Sequence, residues 1–567
     1  MKKLLLLLLL ITGIQRVFSQ WNSNTSINNL VANRPQNEIR PLSVTDGANG
    51  SIVIFNTNND NNSSNNDIYA QKITSAGTIA WGSTSNPIIV CNASDEQYYT
   101  DAIADGAGGA YIVWEDFRND PVFGEIYIQH INSSGVALWP ANGVRVTNTS
   151  NDDYSAFLCS DGSGGVIVAW NWDNNVNNIQ ISAQKYNSAG VAQWVANGVQ
   201  VSTAPGFRAG TNIVSDGASG AILFFLDTRD DTNGTDYDYV INPDTDDLEN
   251  INIYAQRLNS NGIIMWSNND VVVCNAPGNQ GNLEIEENAA VPDGSGGAIF
   301  VFDDGRNDVP DIDGDPTNFD IYAQKLNSSG VAQWSTNGVP FTIANDNQYL
   351  ESVERDGAGG IVAVWFNGND DHEYTQRINS AGTINWTLNG IMLNSVESYY
   401  ARIIADGSGN YMYSFLNFAL SGITLGAQKL NGAGALQWGA NGIVVCNNPV
   451  ALEDFSSPTM VLSDNGAAII SWADKRNFNT TSNDIFASKV LSIGVLAGTG
   501  GSGYISIADG NWNNPAIWSG GAVPPATAQV TVKHNVTVTQ NATCDSLSVE
   551  LPGNIIVKTG INLIVTH

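Results

Sequence analysis

Two acidic stretches carry the densest set of ligating side chains in this 567-residue sequence. Residues 227–250 hold nine carboxylates and residues 303–320 hold seven, 16 of the chain's 55, where an even spread would give about four. Within the second stretch, Asp311-x-Asp313-Gly-Asp315, with Asp320 beyond, sets carboxylates at alternate positions around a glycine. A short loop of this kind suits Ca2+, a hard cation that gathers oxygen ligands. Asp244-x-Asp246-Asp247 is a weaker copy. The register and closing Glu of an EF-hand loop are absent, so two readings stand: a Ca2+ site at Asp311, Asp313, Asp315 and Asp320, or a solvated acidic loop.

Other chemistry is sparse. The four His, His130, His372, His534 and His567, have no metal-ligand spacing, and no nucleophile-elbow sequence accompanies a Ser/His/Asp order. Sialidase-type Asp-boxes are absent. Four Asp-x-Arg pairs (Asp116/Arg118, Asp227/Arg229, Asp304/Arg306, Asp474/Arg476) read as ion pairs that fix a strand end or a neighbouring unit. Cys91, Cys274 and Cys446 occupy one repeat position in units that are never adjacent, and Cys159 and Cys544 have no evident partner. All five read as small buried side chains. Paired carboxylates of a glycosidase remain open, because 55 acids leave many combinations.

The elements that would position these residues come from a repeat. Asp-Gly-x-x-Gly opens at Asp46, Asp105, Asp161, Asp216, Asp293 and Asp356, with Asp-Gly-Ser-Gly-Asn at Asp406 and Asp-Asn-Gly at Asp464. The period of about 60 residues exceeds that of common propeller repeats. An aromatic follows nine residues on (Phe55, Trp114, Trp170, Phe225, Phe302, Trp365, Phe415). Next come Asp-Ile-Tyr-Ala-Gln-Lys, as at Asp67–Lys72 and Asp320–Lys325, and Gly-x-x-x-Trp. The Trp column is Trp81, Trp139, Trp194, Trp266, Trp334, Trp386 and Trp438. His130 sits in a Lys/Arg slot held elsewhere by Lys72, Lys185, Arg257, Lys325, Arg377, Lys429 and Lys489.

Apolar runs rich in Val, Ile and aromatics, bounded by Gly, Asn and Asp, predict four short strands per unit: one after Asp-Gly, one at Ile-Tyr-Ala-Gln, one through the Trp, one leading to the next Asp-Gly. The expected fold is all-β: a closed β-propeller of eight four-stranded blades plus a small C-terminal β module. The last unit lacks its Trp strand. Trp21 lies 25 residues before Asp46, inside the 20–27 range of the other Trp-to-Asp spacings, so the N-terminus is expected to supply it and close the ring.

Lys2, Lys3 and the apolar run Leu4–Ile11 predict a secretory signal peptide over 1–19. The propeller is assigned to 20–490, a Gly-rich linker to 491–503, and a β-rich module to 504–567, stacked as a β-helix or paired as a sandwich. The net charge of −32 argues against nucleic-acid or anionic-membrane partners.

The repeat Asp-Gly-x-Gly-Gly…Trp-x-Asp-x-Arg…Asp-Ile-Tyr-Ala-Gln-Lys…Gly-x-x-x-Trp resembles repeats of large proteins secreted by bacteria through a type IX route. The Trp512…Trp518-Ser-Gly-Gly…Pro module is similar to β modules of the same proteins. The resemblance implies an extracellular, propeller-like architecture and no agreed activity. The expected function is a secreted, non-catalytic protein whose loops bind a glycan, a cell-surface protein or a surface. The alternative is an extracellular polysaccharide-active enzyme with paired carboxylates in the central funnel.

Overall fold

In a computed structural model the described residues are 21–59, 62–173, 179–230, 251–267, 270–281, 289–307, 318–345, 347–419, 422–447, 457–476, 483–498, 504–518, 523–524, 529–544, 546–550 and 552–565. They form two compact units. One is Asn22–Ala497; the other comprises Gly498–His567 and the segment ending at Trp21. Among the described residues the only helical elements are two three-residue turns, and no helix is long and apolar enough to cross a membrane.

The first unit is a β-propeller of eight four-stranded antiparallel blades in a ring. Blade two shows the plan: Gln97–Ala104 innermost, then Ala110–Asp116, Glu125–Ile131 and, outermost, Val144–Arg145. Two expectations shift. The strand before each Asp-Gly turn pairs with the strand after it, so the turn is a hairpin within a blade and the fourth strand of each repeat opens the next blade. The Trp precedes the outer strand rather than lying in it, because a tight turn intervenes between Trp139 and Val144. Blade eight (Thr459–Leu462, Ala468–Asp474, Asp484–Val490) takes its outer strand from Asn29–Ala32 near the N-terminus. Trp21 precedes that strand and is fully buried. Blade one meets blade eight through Ser43 N–H to Thr459 Oγ1 at 2.9 Å and Lys489 Nζ to the Ser75 carbonyl at 3.0 Å.

The Asp-Gly signature has a physical cause. Asp161 Oδ1 accepts the N–H groups of Ser163 and Gly165, both at 2.7 Å, which closes the turn. Its Oδ2 takes Lys185 Nζ at 3.1 Å, and that ammonium also reaches the Ser219 carbonyl of the next blade. A Cβ on Gly165 would sit 2.4 Å from the Tyr186 carbonyl, so no larger residue fits. His130 replaces Lys in blade two, with Nε2 2.9 Å from Asp105 Oδ2.

The Trp column clamps blade to blade. The indole N–H of Trp81, Trp139, Trp194, Trp266, Trp334 and Trp386 donates to a carbonyl of the following blade's turn at 3.0–3.2 Å. The glycine of that turn lies on the ring face, where an added Cβ would come within 3.0 Å; Trp438 faces Gly494 in the same way. Deleting such a ring costs about 3–5 kcal/mol.

In the second unit the strands pair in parallel: Tyr504–Ile505, Gln529–Val532 and Ser546–Val549 in one sheet, Gly510–Asn511, Asn535–Val538 and Asn554–Val557 in another, Ala542–Cys544 with Leu563–Val565 in a third. Stacked parallel pairs are the β-helix alternative, not the sandwich. Trp512, Trp518, Val532, Val536 and Val538 form its core.

Candidate functional site

The innermost strands of successive blades touch one another and line the central channel. At the Asp-Gly end lies a cavity of about 780 Å3, walled by residues of blades one, five, six, seven and eight. Its lining is largely small or apolar (Ser43, Val44, Thr45, Pro292, Ile404, Ala405, Val461, Leu462), with Asp293, Glu354 and Arg355 as its charged members. Asp293 is committed to Lys325 at 3.8 Å and to the N–H groups of Ser295 and Gly297.

The opposite end is built differently. Among the described residues the inner strands of six blades carry a β-bulge there, as between Tyr154 and Phe157, Leu350 and Ser352, and Tyr399 and Arg402, while those of blades five and eight pair without one. An extra residue leaves backbone N–H groups off the ladder, and left-handed φ angles appear at Arg40 (52°), Ser155 (49°) and Tyr400 (63°). Carboxylates from the inner or second strand of the preceding blade collect these N–H groups. Glu115 Oε1 accepts Ser155 N–H at 2.7 Å, Asp303 Oδ1 accepts Leu350 N–H at 3.2 Å, and Glu351 accepts Tyr400 N–H at 2.8 Å and also Ala401 N–H. Burial pushes Glu115 and Asp303 up to about 7, against the lowering effect of those N–H donors.

Blades six and seven add an aromatic surface at this end. Tyr349 and Phe366 are cross-strand neighbours with ring centroids 6.2 Å apart; Phe366 stacks on Tyr399 of the next blade at 4.6 Å, and Phe418 meets Tyr399 edge-on at 4.9 Å. Tyr349 is 37% exposed and the other three are half-buried. Glu373 is the cross-strand neighbour of Phe366 and is fully buried. Burial, then the charge of neighbouring Glu351, raises Glu373 well above the usual carboxylate range. Glu351 is also raised by burial, but Arg402 and the Ala401 and Tyr400 N–H groups favour its charged form. Glu373 therefore keeps the proton and Glu351 the charge.

Of the four expected Ca2+ ligands, Asp311, Asp313 and Asp315 lie outside the described residues. Asp320 is buried at the start of the third strand of blade five, and its Oδ2 accepts Asn307 Nδ2 at 2.9 Å. Burial raises its carboxyl to about 6. Among the described residues no three His, Cys, Asp or Glu side chains are grouped to hold a metal ion.

The Asp-x-Arg pairs are ion pairs, made in a turn and not along a strand face. Asp116 ends its strand, Arg118 folds back with its N–H on Asp116 Oδ1 at 3.0 Å, and its guanidinium lies 4.1 Å from the Tyr127 ring centroid. Arg118 Nη2 also donates to the Asn142 carbonyl at 3.0 Å. All five Cys are buried and none is in a disulfide.

The aromatic surface escaped sequence reasoning. Its one signal is Phe366 directly after Trp365, an aromatic where four other blades carry Asn56, Glu115, Asn171 and Asp303 and three carry Leu226, Leu416 and Ala473.

No family model matches the sequence, and no curated protein does. Solved structures similar to this chain include a protein of unknown function from Dyadobacter fermentans (TM-score 0.37, 11% identity, covering 82% of this chain and 98% of that one). A polysaccharide lyase is similar with TM-score 0.39 and 8% identity over 68% of this chain and 88% of its own. An α-L-arabinofuranosidase from Fusarium graminearum gives TM-score 0.33 and 12% identity over 69% and 93%. At these identities the likeness is one of fold.

Proposed function

We propose that this is a secreted glycan-binding propeller whose site is the bulged end of the channel. The observation that carries this reading is the partly exposed Tyr349–Phe366–Tyr399–Phe418 surface. Sugar rings present flat C–H faces that pack on such aromatic side chains, and a phenol supplies a polar edge for hydroxyls. The neighbouring carboxylates Asp303 and Glu351 are engaged by backbone N–H groups at the bulges, as is Glu115 elsewhere on this end, which suits a rigid binding surface better than proton transfer. Calorimetry with neutral oligosaccharides should show binding that Tyr399→Ala weakens about tenfold, equivalent to ~1.4 kcal/mol, with little change in melting temperature. Equal affinity of the variant would overturn this site.

One observation favours a second reading, a polysaccharide-active enzyme. Glu373, kept protonated, beside Glu351, kept charged, is the acid-and-base combination that glycosidic cleavage uses. A hydrolysis and lyase screen on the parent and on Glu351→Gln separates the two. Turnover abolished by the substitution, with binding retained, would replace the binding reading.

Calcium binding by the 311–320 loop is a separate proposal. Millimolar Ca2+ should raise the melting temperature, and Asp313→Asn should cancel the gain; no thermal shift means no site.

A further inference from the structure

We propose that the aromatic surface selects saccharides bearing free amines, oligomers of glucosamine type, over uronates and N-acetylated sugars. The inference rests on the glycan reading and adds the charge of the ligand. Two exposed carboxylates flank Tyr399 on a fixed backbone. The Asp371 carbonyl accepts Ser398 N–H at 2.9 Å, which ties the blade-six turn to the residue before Tyr399. The Glu397 carbonyl accepts Phe418 N–H at 2.8 Å, and Glu397 Oε1 accepts the Tyr399 hydroxyl at 3.1 Å.

The cations near this surface are already engaged. Arg402 Nη1 donates to the Glu351 and Ala401 carbonyls at 3.1 and 3.2 Å. His372 Nδ1 sits on the Asp370 carbonyl, with Asp370 Oδ1 3.8 Å away. Asp370 Oδ2 takes the Tyr374 hydroxyl at 2.7 Å.

Ring faces edged by carboxylates favour an ammonium twice, through the ring quadrupole and through the formal charge. A uronate laid on the same rings would meet Asp371 and Glu397 as like charges. An N-acetyl group would lose the ammonium and keep only the stacking. The selectivity is therefore local, and is separable from the overall charge of −32 because two side chains carry it.

Calorimetry at mildly acid pH, with glucosamine, N-acetylglucosamine, glucose and galacturonate tetramers, tests this. The glucosamine tetramer should bind at least about tenfold more tightly than the other three. Raised salt should shrink that margin. The double variant Asp371→Asn/Glu397→Gln should erase it, bringing the glucosamine tetramer to the affinity of the glucose tetramer for the same variant. Equal binding of the glucosamine and glucose tetramers, or preference for galacturonate, overturns the inference and leaves the glycan reading standing. A preference that survives the double variant overturns it too. If none of the four binds, the glycan reading falls with it.

Discussion

The two ends of the channel use the same residue types in opposite ways. At the Asp-Gly end seven blades repeat one device, a carboxylate that closes a turn and takes a Lys, Arg or His, and in blade eight Asp464 takes Lys489 while its backbone carbonyl closes the turn, so that the charges are consumed in holding the ring. At the bulged end the inner strands diverge. Position by position they offer Arg40, Tyr99, Ser155, Gly210, Leu350 and Tyr400, of which Tyr99, Leu350 and Tyr400 pack partly buried against different hydrophobic clusters. Repetition marks scaffold, and departure from repetition marks the place where this molecule can be specific.

The largest test addresses the scaffold as a whole. Deleting residues 20–45 removes the outer strand of blade eight and the whole inner strand of blade one. Unpaired edges and two exposed blade faces should unfold the whole ring in one transition, read by circular dichroism and calorimetry. A deletion variant that melts like the parent means the N-terminal strand does not hold the ring together.

Next comes a single Asp-Gly carboxylate. Asp356 has no exposed side-chain surface. Its Oδ1 accepts the Ala358 and Gly360 N–H groups at 2.7 Å, and its Oδ2 takes Arg377 Nη2 at 2.9 Å. Asp356→Ala leaves a mostly buried guanidinium without its partner, which costs about 3–5 kcal/mol. Chemical denaturation should show that loss while saccharide affinity, measured well below the melting temperature, stays unchanged. Tyr399→Ala should give the reverse pattern. If both substitutions move both observables together, the division between scaffold end and binding end is wrong.

This division also explains what the sequence discloses. Asp161, Lys185 and Gly165 are legible because the same geometry recurs in other blades, so spacing alone reveals a turn and its counter-ion. Even there, Asp-Gly reads as the start of a unit, although it is the hairpin between the first two strands of a blade. The platform is illegible for a physical reason. Tyr349, Phe366, Tyr399 and Phe418 lie on four strands of two blades and meet only once the ring has formed. Glu351 and Glu373 lie 22 positions apart and are brought together by a bulge that no residue type announces.

A smaller effect separates the seams. Glu38 of blade one is fully buried, its Oε1 accepts Arg34 N–H at 2.6 Å, and Asp484 of blade eight faces it. Burial first, then the Asp484 charge, raises Glu38 to about 9, against the opposing influence of Arg34. The folded protein thus holds a proton that the unfolded chain releases near pH 4.3. Stability from this group is complete below that value and declines as pH rises towards about 9, by at most ~1.4 kcal/mol per unit. Glu38→Gln keeps the acceptor and removes the titration. Its stability should exceed the parent's at pH about 8 by more than at pH about 5 in urea denaturation. An equal difference at both values would mean that Glu38 titrates normally in the fold.

The smallest expected effect concerns whether the bulged end stays shut between blades. Cys91, Cys274 and Cys446 lie on outer strands, with sulfurs 3.1, 3.3 and 3.2 Å from Nη2 of Arg118, Arg306 and Arg476 of the next blade. A guanidinium alone would favour the thiolate, but burial outweighs it and pushes Cys91 and Cys274 up to about 12. Alkylation requires the thiolate and an approach path. Native protein at mildly alkaline pH should therefore take up no iodoacetamide by mass spectrometry, and denatured protein should take up five equivalents, one for each Cys. Cys91→Ala should cost only about 1 kcal/mol. Modification of Cys446 in the native state would show that blades seven and eight part on the labelling timescale. The aromatic surface, which runs across blades six and seven, would then be mounted beside a moving seam, and the saccharide affinity proposed for it should fall as that seam opens with temperature.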